Sequence, residues 1–62
     1  MSKSVLVIAL EGTPEEITED LNKKIREIEE KGGEVIDLKI SYSREHGVDG
    51  FVIVYTLIYR EG

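Results

Sequence analysis

Ser43, His46 and Asp49 fall within seven residues of one another and name the parts of a hydrolytic triad: nucleophile, base and orienting carboxylate. A triad works when its base is held rigidly between the other two groups in a shielded pocket. These three fall in a polar, glycine-containing break, Ser43 to Gly50, that reads as an exposed turn. Turn chemistry is the simpler purpose, and no catalytic residue is assigned. Glu45, His46 and Asp49 could also touch a divalent cation. Three ligands on one flexible loop bring no second layer of groups to orient them, so no metal site is expected either.

Other residues invite chemistry less directly. Glu15 with Glu19 and Glu16 with Asp20 stand four apart and could be an acid and a base, but nothing in the pattern builds a concavity around them. Glu11-Gly12-Thr13 leads from an apolar run into a helix, where free N–H groups attract anions. Glu11, Glu15 and Glu16 already fill that field with negative charge, so helix capping is the better reading. Tyr42, Tyr55 and Tyr59, with Phe51, form an aromatic set that could stack a planar, nucleotide-like or flavin-like ligand between subunits; packing in the core competes with that use.

The elements that must position these residues follow from periodicity. Ser4 to Leu10 is apolar and β-branched on both alternating faces, the pattern of a strand covered from two sides. Thr13, Pro14 and Glu16 compose a capping box with proline in the first helical position. Behind them Ile17, Leu21, Ile25 and Ile28 make one narrow apolar stripe, and Gly32-Gly33 ends the helix after Lys31. Glu19–Lys23, Asp20–Lys24 and Glu27–Lys31 are acid-before-base pairs suited to a solvated helix face. Val35 to Tyr42 alternates as a second strand, and Phe51 to Tyr59 is a third. A hairpin turn centred on His46-Gly47 sets Ile36, Leu38, Ile40 and Tyr42 opposite Leu57, Tyr55, Ile53 and Phe51 as one core face. The fold class expected is α+β: a βαββ chain, with one helix on one face of a three-stranded sheet and a right-handed crossover.

Composition bounds the function classes. Sixty-two residues make room for a single domain, residues 1–62. Eight basic against thirteen acidic residues give a net charge of −5, which repels phosphate backbones and anionic membranes. Nucleic acid and membrane are therefore not expected as partners. No cysteine is present, so disulfides, thiolate metal sites and a thiol nucleophile are all ruled out. The longest apolar run, Val5 to Leu10, is too short for a membrane span, and a cytoplasmic location is the default.

One helix covers one sheet face, yet Val5, Val7, Val52, Val54 and Ile58 point away from the residues that the helix would cover. That leftover face predicts a homo-oligomer packed sheet on sheet. The competing reading is β-propensity alone, with Asp37, Lys39 and Thr56 diluting the patch.

Three stretches, EGTPEEITEDLN, VIDLKISYS and the closing YTLIYRE, resemble the small "Cse" sporulation-associated proteins of Gram-positive bacteria. The resemblance covers most of the chain and implies a short βαββ-like protein without an assigned biochemical activity, with no catalytic residue to carry over. The Gly12-Thr13 helix entrance is also similar to that of dodecins, flavin-storing βαββ proteins that assemble into shells. This chain has no Trp to stack a flavin, so the likeness implies topology and assembly alone, and no cofactor is expected. A third reading takes the Thr-Pro-Glu-Glu start, the ordered helix charges and the double-glycine stop as a designer's choices, with no biological function. The leading expectation is a non-enzymatic, self-associating βαββ module; the alternative is a homo-oligomer that binds or sequesters a small molecule.

Overall fold

The computed structural model describes residues 3–62. Strand β1 (Lys3–Gly12) leads into helix α1 (Pro14–Glu30), followed by β2 (Glu34–His46) and β3 (Gly50–Arg60). The sheet order is β1-β3-β2, and β3 pairs antiparallel with both neighbours. The chain is thus a βαββ fold with one helix on one face of a three-stranded antiparallel sheet, as its periodicity predicts.

The helix start is built as expected. Thr13 is the N-cap and Pro14 the first helical residue. The Glu16 N–H donates to Thr13 Oγ1 at 3.2 Å, and the Thr13 N–H donates to Glu16 Oε1 at 2.9 Å, so each end of the box satisfies a group that the helix leaves orphaned. Gly12 makes the entry possible. Its φ of +137° suits glycine, and a Cβ there would come within 2.7 Å of Glu16 Oε1. Thr13→Ala is expected to cost about 1 kcal/mol of unfolding free energy. A urea titration reads it, and a midpoint equal to that of the wild type would mean that the box is ornamental. At the other end the Gly33 N–H donates to the Ile28 carbonyl, closing the last turn. The charge pairs expected along the solvated side do not form: among the described residues Lys24 turns to Glu27 at 3.7 Å instead. Half-exposed side chains gain too little from any one such pairing to hold it against water.

β1 alternates strictly, with Ser4, Leu6, Ile8, Leu10 and Gly12 half-buried on the helix side and the intervening residues exposed. Its expected covering from both sides is therefore corrected: within one chain a single face is covered. The helix stripe meets that face. Among the described residues Ile17 and Leu57 are the buried apolar ones, at 3% and 0% exposure.

The hairpin departs from the expected register. Its turn is Gly47-Val48-Asp49, closed by the pair His46–Gly50, and Ser43 to His46 continue β2 rather than forming a loop. Gly47 takes φ +75°, the left-handed region that a tight turn needs. Two bulges, between Val35 and Asp37 and between Ile40 and Tyr42, each advance β2 by one residue against β3. Leu38 thus faces Leu57, Ile40 faces Tyr55, and Tyr42 faces Val54. The single core face of Ile36, Leu38, Ile40 and Tyr42 is overturned. Each extra residue reverses the alternation, so Val35 and Leu38 lie on the helix side while Tyr42 moves to the other. Ile36 is the extra residue of the first bulge and stands 42% exposed. Ile40 keeps the helix side but is 62% exposed, because the helix lies closer to β1 than to β2.

Candidate functional site: the open sheet face

Directly opposed residues of an antiparallel pair share a face, so the register defines the side of the sheet that the helix leaves bare. Its rows, read from β1 across β3 to β2, are Val5–Ile58–Asp37, Val7–Thr56–Lys39, Ala9–Val54–Tyr42 and Glu11–Val52–Arg44. Val5, Val7, Val52, Val54 and Ile58 therefore lie together on one surface over β1 and β3. Val5 and Val7 are 63% and 61% exposed. Ala9 and Tyr42 complete this surface. Tyr42 could not be placed there by alternation alone, because its side depends on the two bulges. Among the sequence signals, Asp37 and Lys39 flanking Leu38 mark which residues of β2 turn inward, but nothing in the types beyond Ile40 marks the second bulge.

Charged pairs border the apolar rows. Arg60 Nη1 donates to Glu34 Oε1 at 3.0 Å, and Lys39 Nζ stands 4.0 Å from Asp37 Oδ2. His46 Nε2 lies 3.1 Å from Glu11 Oε2, spanning from β2 to β1 where Gly50 leaves the central strand without a side chain. The Ser41 and Thr56 hydroxyls are hydrogen-bonded at 2.6 Å, which removes two polar groups from competition with a neighbour. An apolar centre with a charged rim is the pattern of an interaction surface.

No protein-family model, curated protein or solved structure matches the chain.

The remaining sequence candidates are dispersed. Ser43 faces Ile53 on the helix side and His46 faces Gly50 on the open side, so nucleophile and base of the supposed triad stand on opposite faces. Glu45 pairs with Phe51, on the far side of the strand from His46, and no group of three metal-ligating side chains converges among the described residues. Glu15, Glu19 and Asp20 are exposed along the helix, while Glu16 is engaged in the capping box. The tyrosines separate as well. Tyr55 and Tyr59 lie on the helix side, and Tyr42 lies on the open one. Tyr59 does line a groove of about 310 Å³ with Leu6, Ile28, Lys24 and Lys31, beside the end of the helix. No helix among the described residues is long and apolar enough to cross a membrane.

Proposed function

We propose that the chain is a self-associating βαββ module whose copies pack open face against open face, acting by assembly rather than by catalysis. The observation that carries this reading is the continuous apolar surface over β1 and β3, with two valines more than 60% exposed, in a chain that buries so few side chains completely. Water-exposed apolar surface of this extent is a cost that a second identical surface removes, and a two-fold axis makes any one face complementary in kind to itself. A neutral, apolar centre also favours another copy over a charged partner. The negative net charge adds to this, since it weighs against phosphate-rich partners.

Native mass spectrometry on gently purified protein tests the proposal and reads any bound small molecule in the same spectrum. A closed oligomer of even subunit number is expected at micromolar concentration. A ligand-free monomer persisting into the high micromolar range would overturn the reading. The groove at Tyr59 supports a second reading, small-molecule binding, because its volume falls at the lower end for ligand sites and Leu6, Ile28 and Tyr59 form an apolar part of a lining that also carries Lys24, Lys31, Glu27 and Glu61. Extra mass per subunit, or a thermal shift with a nucleotide or flavin, would bring that reading forward; a flat response across such a panel would remove it.

A further inference from the structure

The two edges of the sheet are built differently. β2 is interrupted by two bulges and carries Asp37, Lys39, Arg44 and His46 on its open side, devices that discourage another strand from adding to it. β1 has none of these. Its ten residues run in unbroken register with β3 from Lys3–Arg60 to Gly12–Phe51, without a proline or a bulge. Its outer N–H and C=O groups face no other strand of the sheet. The charges on β1 are confined to its ends, Lys3 and Glu11, with uncharged residues between.

We propose that β1 is a second self-association site, which pairs antiparallel with β1 of another copy about a two-fold axis through Val7, setting Lys3 of each copy opposite Glu11 of the other. An axis perpendicular to the sheet keeps both helices on one side, so the residue on the axis must meet itself. With Val7 there, Val5 meets Ala9 and Lys3 meets Glu11 on the open side, while Leu6 meets Ile8 on the helix side. Moving the axis to Leu6 sets Lys3 against Ala9, and moving it to Ile8 sets Glu11 against Val5. Parallel pairing in register brings lysine beside lysine and glutamate beside glutamate. Only the Val7 axis matches the charges.

Lys3 also gains from it within its own chain. It stands directly opposite Arg60, a like charge whose guanidinium is already engaged by Glu34. Glu11 contributes through its second oxygen: Oε2 faces His46, and Oε1 accepts from no donor among the described residues. The resulting six-stranded sheet places two apolar faces side by side. Edge pairing lies in the plane of the sheet and face packing perpendicular to it, so both can operate together and close into a four-chain assembly.

Charge reversal tests the pairing. Lys3→Glu and Glu11→Lys each put like charges at both ends of the shared ladder, and each is expected to raise the dissociation constant of the edge pair about tenfold at low salt. The double variant restores the complementarity, and so does a 1:1 mixture of the two single variants, which should form mixed pairs in preference to either alone. In the same series Val7→Cys should cross-link rapidly under mild oxidation, since the two Cα atoms at the axis are about 4.5–5.5 Å apart. Val5→Cys should not, its thiols being about 13 Å apart along the strands. An oligomer indifferent to charge reversal, forming no preferred mixed pairs and cross-linking no faster through position 7 than position 5, would overturn the edge pairing and leave face packing standing. A monomer under all conditions would overturn both. A charge-sensitive dimer that survives Val54→Lys would uphold the edge pairing even where face packing fails.

Discussion

Leu57→Ala is expected to unfold the isolated chain at ordinary temperature, or to lower its unfolding free energy by about 2–5 kcal/mol in any condition where the fold persists. Leu57 is the most deeply buried side chain among the described residues, at 0% exposure. It lies on the central strand, opposite Leu6 on β1 and Leu38 on β2. Trimming its isobutyl group to a methyl opens a cavity at the point where all three strands meet beneath the helix, and neither neighbour can fill it without leaving its own row. A 62-residue chain has little reserve, since the whole stability of a small domain is of the same order as this single loss. Circular dichroism with a urea titration at several protein concentrations measures it. A variant with the wild-type midpoint would mean that the core lies elsewhere.

Val54→Lys should leave that core intact and remove the face-to-face association. Val54 is on the same strand but on the opposite face, between Ala9 and Tyr42 at the middle of the open surface. In a lone chain the new ammonium reaches water, and the cost is limited to the poorer strand propensity of lysine, about 1 kcal/mol or less. At a two-fold interface two such charges would be brought together and stripped of water, with no carboxylate in the central rows to receive them. The dissociation constant for face packing is expected to rise at least about a hundredfold, equivalent to roughly 2.7 kcal/mol. Native mass spectrometry paired with circular dichroism separates lost assembly from lost fold. Val54→Thr, nearly the same shape and without charge, serves as the milder companion and should weaken packing without abolishing it. Undiminished association in Val54→Lys would sink the face reading.

Much of this architecture was legible from residue types. The capping box, the proline at the first helical position and the double-glycine stop locate α1 almost to the residue, because each satisfies backbone groups within a few positions of itself. β1 and β3 read as strands for the same local reason. The five apolar residues assigned to the uncovered side do share it, since β1 and β3 pair without interruption and simple alternation holds across both. β2 is legible as a strand, but its two bulges are not. Its Ser-Arg-Glu-His extension looks like loop because all four residues are polar and continue no apolar alternation, yet β3 supplies them a partner in space.

Sequence by itself determined the order of elements, the helix and its caps, and the existence of an apolar surface that one helix cannot cover. All of these depend on contacts within a turn or on a period of two or 3.6 residues. Tertiary structure decided that β3 is the central strand, that two bulges turn Tyr42 outward and leave Ile40 exposed, and that β1 keeps a regular free edge. Those outcomes depend on which strand lies beside which and on how far one slides against the other. That choice is made by packing the helix stripe over Leu57, and residues distant in the chain settle it together.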